Sequence, residues 1–128
     1  MDPICDLLIR IKNAYMANLK TATVSYSRPK ENLVKILQKN GYIRDSKVTG
    51  EKATKMIEID LKYTKKVPAL VDLKIISKPG LRVYVKAKDI KHVFGGSGIN
   101  ILTTSKGLMT GKEARIANLG GEHICQVW

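Results

Sequence analysis

Acidic side chains are scarce in this chain. Its 128 residues carry 11 Asp and Glu against 23 Lys and Arg, a net charge of +12. The few acids are scattered, so no carboxylate pair is set up for acid–base work. Aromatics are also few, with one Phe and one Trp. That argues against a stacking platform for single-stranded bases, which needs several exposed rings. The two cysteines, Cys5 and Cys125, lie at opposite ends of the chain and form no CxxC pair. His92 and His123 fall at no zinc-like spacing, so neither a metal site nor any other cofactor is expected. Both cysteines sit among apolar residues and read as small buried thiols. No signal peptide and no apolar run of transmembrane length is seen. A cytoplasmic protein without a membrane partner is expected.

What is abundant is positive charge, and its usual cause in a folded protein is an anionic partner, most often nucleic acid. Between Lys62 and Lys112 eleven Lys or Arg face only two acids, Asp72 and Asp89. A single lysine needs no partner, but so lopsided a segment suits an anion-binding surface. The hydrophobic fraction of 44% is ordinary for a globular chain, enough for one compact domain or two very small ones.

The pattern predicts an α+β protein of two small units. From Met1 to Asn18, Ile4, Leu7, Leu8 and Ile11 recur at helical spacing, with Asp2 as cap and Pro3 at the first helical position. "TATVSYS" reads as a strand. A second helix starts at Pro29, turns Leu33, Val34 and Leu37 inward, and ends at Gly41. Tyr42 to Tyr63 reads as a hairpin turning at Gly50, its second strand alternating Ile57, Ile59, Leu61 and Tyr63 against polar residues. The first unit, 1–63, is thus helix-strand-helix-strand-strand. A hinge is expected over 64–69, "TKKVPA", before a mostly β unit at 70–128. There "LVDLKIIS" and "LRVYVKA" are strands joined by a turn at Pro79 and Gly80. Asp89 to Phe94 reads as a helical turn, Gly95 to Gly98 as a loop, and "INILTT" and "HICQVW" as strands. Thr110 and Glu113 have capping-box spacing, which predicts a short helix from Gly111 to about Asn118, stopped by Gly120 and Gly121.

Enzyme motifs fail on spacing. "FGGSG" runs into Ile99, Asn100 and Ile101 rather than the Lys-Ser/Thr and helix a P-loop needs. Ser105 lies in no GxSxG elbow. The chain reads as a non-enzyme.

One stretch does carry binding chemistry. Thr103, Thr104 and Ser105 offer short side chains that donate and accept hydrogen bonds. Lys106 adds a point charge, and Gly107 permits close approach or a positive φ. Such hydroxyls suit the shallow minor groove of RNA, where 2′-hydroxyls and base edges are displayed, better than a DNA major groove. The same run is also ordinary turn chemistry, the commoner use of the motif taken alone. Tyr84 shares a strand face with Arg82 and Lys86, where it could stack on a base or ribose or pack against the neighbouring unit. Trp128 reads as core.

"DPICDLLIRIKNA", "KPGLRVY", "GGSGINILTTSKGLMTGKEARIANLGGE" and "HICQVW", in this order and at matching spacing from Asp2 to Trp128, resemble the bacterial S-eight family of small-subunit ribosomal proteins. The central hairpin matches only in pattern. The resemblance implies a structural constituent of the small subunit and a primary binder of its ribosomal RNA. That binder would recognise a distorted stem in the RNA's central domain, promote its assembly and meet neighbouring ribosomal proteins. It implies that Thr103, Thr104, Ser105, Lys106 and Gly107 enter the stem's minor groove, with Thr103 standing where Ser is usual. Tyr84, Arg28 and Lys30 are further implied contacts. Gly120, Gly121 and Glu122, with the box at Thr110 and Glu113, are implied supports of the loop. Some relatives bind their own messenger RNA, so the alternative function is an autoregulatory translational repressor using the same surface.

Overall fold

The computed structural model describes residues 3–91 and 98–128. The expected cap at Asp2, His92, the end of the helical turn at Phe94 and most of the Gly95–Gly98 loop lie outside them. The chain divides into two units, Met1–Leu70 and Val71–Trp128. Both are helix-and-strand structures, as an α+β chain requires, and the second is mostly strand.

In the first unit, helices α1 (Pro3–Met16) and α2 (Arg28–Lys39) accompany strands β1 (Thr21–Ser25), β2 (Asp45–Thr49) and β3 (Met56–Asp60). The strands pair antiparallel in the order β1-β3-β2. Leu7, Leu8 and Ile11 of α1, Leu33 and Leu37 of α2, and Ile57 and Ile59 of β3 are essentially solvent-free. Each such side chain contributes about 1.5–3 kcal/mol. Tyr15 locks the layers together: its hydroxyl donates to Tyr42 O at 2.6 Å and accepts from Lys62 N at 3.0 Å. Burial raises its pKa above the usual phenol range. Ser27 caps α2, its Oγ accepting from Lys30 N at 3.3 Å. Gly41 at φ +82 ends that helix. The segment after β3 holds a small hairpin, β4 (Tyr63–Thr64) with β5 (Val67–Pro68).

In the second unit, β6 (Leu73–Ile75), β7 (Tyr84–Val85), β8 (Ile99–Thr104), β9 (Gly107–Thr110) and β10 (Gly121–Val127) form one antiparallel sheet. Strand β10 is its centre. Along one edge it pairs with β8, and β6 and β7 share the other edge at its two ends. Helix α3 (Gly111–Ile116) follows β9, and its Ala114 packs with Leu102 and Ile90. Ile101, Cys125 and Val127 complete the interior, while Cys5 in the first unit is only half-buried, as is Trp128.

Two expectations need correcting. Gly120 and Gly121 do not stop α3. Asn118 does, at φ +56, with Asn118 N bonded to Arg115 O and Leu119 N to Ala114 O. That is the Schellman arrangement, and Asn tolerates its left-handed residue. The strand expected over "LRVYVKA" shrinks to Tyr84–Val85, because the chain enters a 3₁₀ turn at Ala87–Asp89.

Candidate nucleic-acid interface

The stretch Thr103 to Gly107 is the tip of the β8–β9 hairpin. Thr104 pairs with Gly107, and Ser105 and Lys106 make the two-residue turn. Neither turn residue has a positive φ, whereas Gly107 sits at +103. This is the pattern of a hairpin closed by a glycine bulge, and it explains why glycine follows the lysine. The three hydroxyls divide their work. Thr104 Oγ1 donates to Gly107 O at 2.9 Å and accepts from Lys106 N at 3.2 Å, so it builds the turn. Thr103 and Ser105 are exposed, and their hydroxyls have no hydrogen-bond partner among the described residues. Lys106 is exposed beside them and makes no ion pair there.

Sheet register extends this surface. Glu122 lies opposite Thr103 on one side and opposite Tyr84 on the other. Directly paired residues point to the same face, so Tyr84, Glu122 and Thr103 form one row across three strands. Two strand spacings set Tyr84 and Thr103 about 10 Å apart. Tyr84 is 71% exposed. Glu122 is much less so, and Arg82 Nη1 covers its Oε2 at 3.3 Å. The only carboxylate in the row is thereby neutralised by a neighbour.

The supports are now visible one by one. Thr110 Oγ1 accepts from Glu113 N at 3.2 Å and Thr110 N donates back to Glu113 Oε1 at 3.5 Å, closing the capping box that ends β9 and starts α3; Thr110 Oγ1 also donates to Glu113 Oε1 at 3.1 Å. Gly121 has no room for a side chain: a Cβ there would stand 2.1 Å from Thr103 O and 3.2 Å from Thr104 Cα. At Gly120 it would stand 2.5 Å from Val85 O and 3.0 Å from Lys86 Cα. The glycine pair lets β10 press against both the hairpin and the Tyr84 strand.

Sequence reasoning missed Ser77. It is 2% exposed, and its Oγ accepts from Val83 N at 2.9 Å and donates to Val83 O at 3.3 Å. It therefore fixes the strand that carries Arg82 and Tyr84. A lone serine before Lys-Pro-Gly gave no signal of this. On the opposite sheet face, His123 Nε2 meets Asn100 Oδ1 at 3.0 Å, and Asn100 Nδ2 donates to Lys91 O. Burial lowers the His123 pKa from its ordinary value, partly offset by a backbone hydrogen bond at Cys125.

The two basic residues singled out in the first unit part company. Arg28 is exposed at the start of α2. Lys30 is 5% exposed, its Nζ bound to Ser25 O at 3.2 Å and Ser25 Oγ at 3.0 Å and lying 3.9 Å from Asp6 Oδ2. Its ammonium braces β1 and α1 from inside instead of facing a partner.

No helix among the described residues is long and apolar enough to cross a membrane. The family described as Ribosomal protein S8 matches residues 2–128. A small ribosomal subunit protein uS8 from Dictyoglomus turgidum is 52% identical over 127 residues, covering 99% of this chain and 97% of that protein. The uS8 of Mycoplasmopsis synoviae is 51% identical over 128 residues, with 99% and 97% covered. That of Solibacter usitatus is 46% identical over 128 residues, with 99% and 98% covered. Matched over residues 2–128 and about half identical to these relatives along nearly its whole length, the chain belongs to the ribosomal protein S8 family, a structural and non-enzymatic family of the small ribosomal subunit.

Proposed function

We propose that this chain binds small-subunit ribosomal RNA with the β8–β9 tip of its second unit, engaging a distorted stem of the central domain and helping that domain assemble on the ribosome. One observation carries the reading: the Thr103 and Ser105 hydroxyls stand exposed beside Lys106 with no partner among the described residues, while Thr104 holds the turn. An unpaired hydroxyl can donate to and accept from 2′-hydroxyls and base edges in a shallow groove. Lys106 attracts phosphate, and Tyr84 supplies a ring for a ribose or base at the far end of the row. Gly107, Gly120, Gly121, Glu122 and the Thr110–Glu113 box hold the tip in one conformation, so little freedom is lost on binding. Arg28 is a separate phosphate contact in the first unit. Neighbouring ribosomal proteins are partners in the assembled subunit.

The test compares two substitutions on two RNAs. Ser105→Ala should weaken binding to the irregular stem by roughly 3- to 10-fold, the worth of one hydrogen bond, and leave a regular duplex unaffected. Lys106→Ala should weaken both alike and lower the salt slope by about one. Wild-type affinity of Ser105→Ala for the irregular stem would remove the tip from the interface. If the chain prefers its own message to the ribosomal stem in direct competition, the same surface serves translational repression instead.

A further inference from the structure

The β4–β5 hairpin breaks a local rule. Its strands pair Tyr63 with Pro68 and Thr64 with Val67, leaving Lys65 and Lys66 as a two-residue turn. Both lysines have positive φ, +51 and +67. Such a turn is normally Asn-Gly, because a side chain in the left-handed region crowds its own backbone. Both lysines are exposed, and neither makes an ion pair or hydrogen bond among the described residues. Nothing among the described residues of the unit compensates for choosing lysine twice. Where local preference is violated without internal gain, a functional demand is the first explanation to test.

The surroundings indicate what that demand is. Beside the turn, Asn18, Lys20, Tyr63 and Lys66 line an open groove of about 460 Å³. It shares Lys20 and Tyr63 with a second groove of about 450 Å³ that reaches Arg44. Tyr63 is anchored as the common wall, its hydroxyl donating to Leu19 O at 2.6 Å and its ring edge-on to Tyr15. Lys20, Arg44 and Lys66 thus line two adjoining grooves, with Lys65 next to Lys66 in the turn, against one acid among the described lining residues, Asp60. The cations are strung along an open surface instead of converging on a closed pocket.

We infer that this groove and the Lys65–Lys66 turn form a second, sequence-independent binding site for the phosphate backbone of RNA, located in the first unit. The inference rests on the reading that the chain's polyanion is RNA, and it adds a contact that carries affinity without specificity.

The experiment uses the full chain and a transcript of small-subunit ribosomal RNA. Lys65→Asn with Lys66→Gly relieves the turn and removes both charges. Its melting temperature should rise by roughly 4–8 °C. Its RNA affinity should fall about tenfold, and its salt slope should drop by about two. Lys65→Gln with Lys66→Gln keeps the strain without the charge and should lose the same affinity with no gain in stability. Unchanged RNA affinity and slope in both variants overturn the inference. So does a loss confined to polyglutamate, which would assign the groove to an acidic protein. A melting temperature that fails to rise in the Asn-Gly variant overturns the strain argument. Ser105→Ala is measured in parallel: wild-type binding that depends on Ser105 but ignores Lys65 and Lys66 refutes this site alone. A wild-type chain that does not bind the transcript refutes the functional reading as well.

Discussion

Gly121→Ala is the sharpest perturbation of the hairpin, because the atoms it meets cannot step aside. The new Cβ would lie 2.1 Å from Thr103 O, 3.0 Å from Thr103 C and 3.2 Å from Thr104 Cα. All three are backbone atoms, so no rotamer change relieves the clash. Strand β8 must slide away from β10 just where Glu122 pairs with Thr103. Overpacking a tight contact costs about 1–3 kcal/mol, and losing one ladder hydrogen bond adds about 1 kcal/mol. The total, roughly 2–4 kcal/mol, corresponds to a melting shift of roughly 15–30 °C in a unit as small as Val71–Trp128. The same slide moves Thr103 away from Tyr84, so affinity for the irregular stem should fall even where the protein is still folded. Gly107→Ala is the control: no atom lies within 4 Å of its Cβ, and only the φ of +103 opposes it. Its cost should be about 1–2 kcal/mol. Thermal unfolding and filter binding on both variants decide the matter. If Gly121→Ala melts within 2 °C of wild type, the close-approach explanation of the glycine pair is wrong.

Further outcomes follow from other contacts. Thr110→Ala removes the hydroxyl half of the capping box, leaving Glu113 N without its acceptor, and should cost about 1 kcal/mol in urea unfolding. Lys30→Met leaves Ser25 O without its donor and Asp6 without its cation. It should destabilise by about 1–3 kcal/mol yet leave RNA affinity unchanged, whereas Arg28→Ala should weaken RNA binding and leave stability unchanged. His123 has a lowered folded pKa, so below its ordinary value of 6.5 the unfolded chain takes up its proton first. Its contribution is therefore complete above that pH and is lost as pH falls through 6.5 toward the folded value. Urea midpoints at pH 7.5 and 5.5 should separate in wild type and converge in His123→Gln. Asp89 and Lys91 line the same cavity and set the field around the ring.

The features legible in the sequence were those made by near neighbours. The box at Thr110 and Glu113, the stop at Gly41 and the inward alternation of Ile57 and Ile59 each depend on residues a few positions apart. The split among the three hydroxyls was half legible: turn chemistry and ligand chemistry were both written there, and only the geometry assigns Thr104 to the first. What was hidden depends on pairing across the chain. Gly121 is small because the backbone carbonyl of Thr103, eighteen positions earlier, lies against it from the neighbouring strand. Lys30 looked like a surface cation because composition cannot say that Ser25 and Asp6 wait on the inner side. The end of α3 was assigned to the glycines because glycine is the commoner stop, while Asn118 meets the same backbone demand two residues earlier.

The central claim is that the β8–β9 tip touches small-subunit ribosomal RNA. Ultraviolet crosslinking of the full chain to total cellular RNA, with both the RNA sites and the crosslinked peptides sequenced, tests it most directly. The account predicts crosslinks within the central domain of the small-subunit RNA, carried by peptides containing Thr103–Gly107 or Tyr84. Crosslinks scattered over unrelated RNAs, or confined to peptides that lack both, would contradict it.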